Sequence, residues 1–329
     1  MVRRGGEGVS ERSGVELEPA DCPLGCPRDD VPVLVGRDRL QGLPGEFPIV
    51  RCRRCGVLRT DPRPTPGSIG LYYPADYGSY EGTRVAPASS PARPRWRRAL
   101  SALVQRMTSA RAEEIPPIPP GRMLEVGCAS GSFLDRMARR GWQVEGIEFS
   151  AAPAEEARRA GYRVHTGPVE TAPDPAEPFD LVVGWMVLEH LHDPVAALKK
   201  LRQWTRPGGW LAVSVPDAAS YELALFGDAW YSLHLPNHLW HPSRRTLAKV
   251  LARAGWTVSR VVYQRDLRNL VGSLGYALSD RGRFPRLAKW MSEFPERGGR
   301  VQYLLHPLAF FLAKVRQTGR ITVWARRDG

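Results

Sequence analysis

Apolar and polar positions alternate along residues 122–264 in two rhythms, which together predict strands separated by helices. Short runs rich in β-branched and aromatic residues at 123–126, 143–149, 162–166, 181–187, 210–215 and 257–263 read as strands. Between them, stretches at 132–140, 153–160, 194–205 and 243–254 carry apolar residues at helical spacing; the last has Ser243 as N-cap and stops before Gly255. Strands joined by helices of this length cannot pair as hairpins. They predict an α/β fold, a parallel sheet with helices on both faces and ligands at the carboxyl ends of the strands. A seventh strand is expected late, at 321–325, and residues 265–320 before it predict an inserted helical cap. In that cap Val301, Leu304, Leu305, Leu308, Phe311, Leu312 and Val315 recur at helical spacing, which predicts a helix packed on the domain or, less favoured because Pro307 would kink it, a helix lying on a membrane surface.

The remaining chain divides by composition. Residues 1–20 are polar and charged, as in a disordered tail, and 21–80 hold two cysteine pairs among turn formers. Residues 81–120 read as a linker with a helix at 96–112, closed by Pro116, Pro117, Pro119 and Pro120, which neither a helix nor a central strand accommodates. The expected units are therefore 21–80, 121–264, the cap at 265–320, and a final strand and tail at 321–329. No apolar run of about 18 residues occurs and the first 20 residues have no apolar core, so the expected location is cytoplasmic.

Net charge is +13, and its distribution matters more than its total. Lys and Arg against Asp and Glu number 18 to 14 over 1–120, 16 to 15 over 121–264, and 13 to 5 over 265–329. The excess lies in the last segment. A basic segment there suits RNA, an anionic membrane face met peripherally, a phosphorylated substrate, or simply water.

Four of the five cysteines, Cys22, Cys26, Cys52 and Cys55, form two close pairs 25 residues apart. Two short loops delivering thiolates in pairs suit a tetrahedral structural zinc, and a module so small needs the metal to fold. Gly25 and Cys26 stand in the reverse of the usual order, which predicts a looser first knuckle or a partly lost site. The fifth, Cys128, lies in a turn and reads as a packing residue.

That turn carries the main chemical signal. A strand containing Glu125 enters Gly127, Cys128, Ala129, Ser130 and Gly131 and at once begins a helix, so backbone passes close to a ligand and free N–H groups face it. A dinucleotide fingerprint would place its last glycine one residue later. The run instead resembles motif I of class I S-adenosylmethionine-dependent methyltransferases. That resemblance implies a Rossmann-like, seven-stranded sheet binding S-adenosylmethionine. Glu148, 17 residues after Gly131 at the end of the second strand, would accept both ribose hydroxyls, and Phe149 would cover the adenine. Val169 or Glu170 would meet the adenine amino group. Residues 181–190 followed by Asp193 and Pro194 resemble the family's fourth strand and its continuation, so Trp185 and Met186 would border the methionyl part, with His190 a candidate catalytic residue.

A second resemblance lies further toward the N-terminus. Residues 47–56, then Asp61, Pro62, Arg63 and Pro64, then Tyr72, Tyr73 and Tyr77, are similar to the N-terminal zinc module of a bacterial methyltransferase group that includes sugar C-methyltransferases and enzymes of polysaccharide and natural-product pathways. Tyr72, Tyr73, Tyr77 and Tyr80 would pack the module over the cofactor cleft, with one of them in reach of the substrate. In the sugar C-methyltransferases a Tyr-Asp-Glu-His run supplies a base; His238 matches its histidine, whereas Leu235 stands where the tyrosine would be. The acceptor is then a hydroxyl or an activated carbon of a sugar-like or other small polar metabolite, nucleotide-linked and lipid-linked sugars among them. His234 and His238 are four apart, but Pro236 between them argues against one helical face and against a second metal. An RNA methyltransferase is the alternative, nucleic acid being the less favoured partner because 184–187 lacks the Asn/Asp-Pro-Pro-Tyr turn of base N-methylation. A zinc-ribbon binding protein with a silent methyltransferase fold is the third reading.

Overall fold

The computed structural model describes residues 15–73, 85 and 115–329. The expected helix at 96–112, the chain before residue 15, and Tyr77 and Tyr80 lie outside them. Five strands form the N-terminal module: β1 (Leu17–Glu18), β2 (Asp30–Arg37), β3 (Glu46–Cys52), β4 (Leu58–Thr60) and β5 (Arg63–Pro64). Burial along β3 alternates from Glu46 to Val50, with Phe47 and Ile49 buried and Glu46, Pro48 and Val50 less so, the period of a sheet with one covered face.

The second part begins with β6 (Arg122–Val126), α1 (Ser132–Ala138), β7 (Gln143–Glu148), α2 (Ala151–Arg159), β8 (Arg163–Thr166), β9 (Phe179–Trp185), α3 (Pro194–Trp204) and β10 (Thr205–Pro216). It continues through α4 (Tyr221–Phe226), β11 (Trp240–His241), α5 (Arg244–Arg253), β12 (Thr257–Tyr263), α6 (Arg268–Asp280), α7 (Pro285–Arg297), α8 (His306–Lys314) and β13 (Arg320–Arg326). Local chemistry fixes several ends. Asp193 caps α3 by accepting the Ala196 N–H at 2.9 Å with Pro194 next, and Ser243 and Thr246 form a capping box on α5.

Seven strands form one sheet in the order β12-β13-β10-β9-β6-β7-β8. One strand departs from the parallel arrangement: β13 runs antiparallel between β10 and β12, with Val323 opposite both Val213 and Val261. Strand β13 is buried on both faces from Ile321 to Ala325, so it is held by pairing and packing across the whole cap insertion. Adjacent residues serve opposite cores. Leu124 and Val182 pack with Leu198 and Trp256 on one face, and Met123 and Leu181 pack with Met137 and Trp324 on the other. The chain order reverses between β6 and β9, where crossovers leave a crevice at the carboxyl ends.

A smaller sheet runs β11-β4-β3-β2, so two residues of the second part, Trp240 and His241, complete the module's sheet opposite Arg59 and Leu58. Two residues form no stable strand alone. The register is fixed by a shared core, in which Phe47, Ile49, Leu58 and Tyr72 enclose Trp230, Leu233, Leu235 and Leu239. Burying each of these four side chains contributes about 1.5–3 kcal/mol, far more than two ladder positions.

In the cap, α6 and α7 lie close enough that a Cβ on Gly275 would come 2.3 Å from the Ser292 nitrogen. A 3-10 turn, Gly299–Leu305, leads into α8. Pro307 falls in the first turn of α8, where no N–H is needed, and so it starts that helix rather than kinking a longer one. The expected packing on the domain is also not what is seen, since only Ala309 of α8 is buried.

Candidate active site

A cavity of about 570 Å³ opens at the crevice beside β6. Its walls include Glu125, Gly127, Ala129, Glu148, Phe149, Val169, Glu170, Trp185, Met186, His190 and His238, which brings together eleven of the twelve candidates outside the cysteine cluster. Gly131 is the exception. It turns the chain at φ +86 behind the wall, where an added Cβ would press on Ala157 of α2 at 3.1 Å.

The turn after β6 is tied to β7 by its backbone: the Gly127 and Cys128 N–H groups both donate to the Ile147 carbonyl, at 2.8 and 3.1 Å. Ala129 sits at φ +46, the left-handed region in which a methyl group is disfavoured and glycine is the common choice. Its N–H donates to Glu148 Oε2 and that of Ser150 donates to Oε1, both at 2.9 Å. The carboxylate is thereby oriented by two backbone donors. Glu125 is buried beside it, and burial, with the Glu148 charge adding to it, pushes its carboxyl well above the usual range. Glu125 Oε2 and Trp185 Nε1 have no hydrogen-bond partner among the described residues, although both side chains border the cavity.

Opposite this wall, the lid at 230–241 and the 3-10 turn Leu188–His190 gather histidines. The His190 ring centroid is 4.6 Å from that of His238, and His234 lies 4.8 Å from His238. Pro236 does exclude a helix, but a left-handed turn at His234, φ +43, brings the two rings together without one. His238 Nδ1 is 2.9 Å from the Ser232 carbonyl, which can only accept, so Nδ1 carries the proton and Nε2 keeps a lone pair. Burial holds His190 down at about 4 and His234 at about 3, and drives His238 well below the usual value, the neighbouring histidines adding to the effect. The imidazoles are therefore neutral near pH 7.

Sequence reasoning did not foresee the acid beneath this cluster. Glu189 is fully buried, with its Oε1 3.9 Å from His238 Nε2 and neither oxygen hydrogen-bonded among the described residues. Burial raises it to about 8. With His238 neutral and Glu189 protonated, this contact is not an ion pair. The signal for Glu189 was its place between Leu188 and His190 in the run after β9. Tyr73, one of the four tyrosines expected over the cleft, reaches His190 Nδ1 with its hydroxyl at 2.8 Å. The cap adds Arg268, Asn269 and Tyr276, and β13 adds Arg320. Tyr276 stacks on Tyr231 with centroids 5.5 Å apart and planes 17° apart, and Arg320 donates to Asn269 Oδ1 at 2.9 Å. This half of the cavity is polar and aromatic, suited to a small acceptor rich in oxygen.

In the module, the sulfurs of Cys22, Cys26, Cys52 and Cys55 all lie within 4.8 Å of one another, with Cys22 and Cys55 at 3.4 Å. Each knuckle closes on a left-handed glycine. Gly25, φ +71, donates to the Cys22 carbonyl at 2.8 Å, and Gly56, φ +84, donates to that of Cys52 at 2.9 Å. The reversed order of Gly25 and Cys26 thus still supplies the turn, one residue earlier.

Residues 93–261 match the model of a family described as methyltransferase domain. Among curated relatives, a ubiquinone biosynthesis O-methyltransferase from Alkalilimnicola ehrlichii is 36% identical over 132 residues, which is 36% of this chain and 53% of the relative. One of the same description from Hahella chejuensis is 34% identical over 140 residues, 39% of this chain and 58% of the relative. The chain spans about half the length of these relatives. A solved S-adenosylmethionine-dependent methyltransferase from Mesorhizobium loti is 16% identical, with a TM-score of 0.42 and coverage of 69% of this chain and 96% of that one.

Proposed function

Given that the chain belongs to the methyltransferase-domain family and is a class I S-adenosylmethionine-dependent methyltransferase, we propose that it methylates a hydroxyl group of a small polar, sugar-like metabolite, with His238 as the base. The observation that carries this reading is the neutral, Nδ1-protonated His238, whose Nε2 lone pair belongs to a cavity also walled by Glu148 and Trp185. S-adenosylmethionine supplies an electrophilic methyl group on a cationic sulfonium. Glu148, already oriented by two N–H donors, suits the ribose diol, and the orphaned Glu125 Oε2 and Trp185 Nε1 suit polar groups of the methionyl end. Tyr231, Tyr276, Asn269 and Arg320 would orient the acceptor, and His238 Nε2 would take the hydroxyl proton as the oxygen attacks. The names of the curated relatives favour oxygen over carbon, as does Leu235 in place of the tyrosine of the C-methylating relatives. Incubation with methyl-labelled S-adenosylmethionine and candidate sugars, followed by product analysis, should give an acid-stable methyl ether; a C–methyl or N–methyl product would refute the reading.

The pH dependence has a definite sign. His238 is depressed below its usual value, so its base form persists above that depressed value and is lost only when pH falls through it. The kcat profile should therefore stay flat from pH 7, where Glu189 is still protonated, down past the ordinary histidine value of about 6.5. An acid limb centred at 6.5 would assign the base to another group.

The four converging sulfurs fit a structural zinc, since tetrahedral bonds of about 2.3 Å put sulfurs roughly 3.8 Å apart. Elemental analysis should give one zinc per chain. Chelation should lower the melting temperature by several degrees or more and reduce methyl transfer along with it, because β11 and the histidine lid are built on the module. Full stability in the metal-free protein would count against the site.

A further inference from the structure

The cap carries apolar side chains that the fold leaves outside. Leu304, Leu308, Phe311 and Val315 follow one another at spacings of four, three and four, one stripe along α8 and the turn before it, and are 80, 48, 61 and 47% exposed. The other face of α8 holds its one buried residue, Ala309, so the helix turns its apolar stripe to the outside. A second stripe begins α7: Phe284, Leu287 and Trp290 are 67, 46 and 51% exposed. Each is preceded by a cation, Arg283, Arg286 and Lys289 in turn, so a basic stripe runs beside the apolar one. Arg281, Arg283 and Arg286 are exposed and take part in no ion pair among the described residues. At α8, Arg265 and Lys314 lie over the Phe310 ring at 4.6 and 5.4 Å. Over 281–316 the chain has eight Lys and Arg against two Glu.

We propose that this cap docks on the surface of an anionic lipid bilayer, with the α7 and α8 stripes in the headgroup boundary and the flanking cations on lipid phosphates. Apolar side chains with aromatic and basic residues alongside are what such a boundary selects, because rings and aliphatic carbons leave water while long cationic side chains reach back to phosphate. The charge argues against the competing occupants. An isologous contact between two copies would set like-charged surfaces face to face, and a nucleic acid would engage the cations but leave Leu304, Leu308 and Phe311 in water. No helix among the described residues is long and apolar enough to cross a membrane, so the contact is one of lying on the surface. Arg268, Asn269 and Tyr276 of α6 line the active-site cavity and α6 packs on α7, which sets the cavity beside the docking face.

The test uses the full chain sedimented with phosphatidylcholine vesicles made with and without phosphatidylglycerol. The wild-type protein should pellet with the anionic vesicles and not the neutral ones, and less so as salt rises. Replacing Arg283, Arg286 and Lys289 together by Glu should weaken association by more than about tenfold. The pair Leu304→Ser and Phe311→Ser should weaken it as well, with an unchanged circular dichroism spectrum. A folded wild-type chain that stays in the supernatant with anionic vesicles overturns the proposal. So does a Leu304→Ser, Phe311→Ser protein that keeps its vesicle association while its molar mass by light scattering falls to half, which would make the stripe a contact between two copies.

Discussion

Glu148→Ala should raise the dissociation constant for S-adenosylmethionine by at least about a hundredfold, measured by calorimetry. A hydrogen bond to a charged group contributes about 1.5–3 kcal/mol, and a ribose diol makes two with one carboxylate. The substitution also strips the Ala129 and Ser150 N–H groups of their acceptor. Ala129 is held at φ +46 by that bond, so the turn that should receive the cofactor would lose its anchor as well as its partner. Glu148→Gln separates the two contributions: one amide oxygen can still hold a backbone N–H, so affinity should fall by an intermediate amount. An alanine variant that is folded and binds within about threefold of wild type would remove Glu148 from the cofactor site.

His238→Gln should lower kcat by roughly 10²- to 10⁴-fold while leaving cofactor affinity near that of the wild type. The separation matters because His238 is also structural. Its ring is 3% exposed, it donates to the Ser232 carbonyl, and its own carbonyl accepts from the Thr60 hydroxyl at 2.9 Å. Gln preserves much of the volume and one donor, so a folded protein that binds S-adenosylmethionine but turns over slowly would assign the lost function to the Nε2 lone pair. A kcat within about threefold of wild type would instead point to His190, whose Nδ1 already faces the Tyr73 hydroxyl.

Local patterns predicted the parts of this fold that local physics determines. The strands from β6 to β10 and β12 announce themselves as short apolar runs, and α3 and α5 by their Asp193 and Ser243 caps, so the crevice at the end of β6 was legible before any coordinates. Features fixed by distant pairing were not. Ile321 to Ala325 read as a strand, but nothing local says that it inserts antiparallel between β10 and β12. Trp240 and His241 gave no strand signal, being only two residues whose partner is the N-terminal module. Of the candidate site, Glu148 was legible from its spacing to the glycine turn. Glu189 was not, because an acid beside His190 looks the same in sequence whether it meets water or lies, as here, fully enclosed beside His190 and His238. The cap helix was left between two readings for a related reason: an apolar stripe at helical spacing says that one face avoids water, and not which neighbour receives it.

The pairing of β11 with β4 constrains how this chain can be recombined. Leu233, Leu235 and Leu239 fill the core under the cysteine module, yet His234 and His238, one residue away, border the candidate cavity. The module and residues 230–241 therefore form one heritable unit. A chimaera that takes the first seventy or so residues from a relative without that relative's lid would misplace the histidines even if every cysteine were retained, whereas one that exchanges both together could change the acceptor and keep the sheet. Acceptor choice in such chains should accordingly vary in step across two segments more than a hundred residues apart.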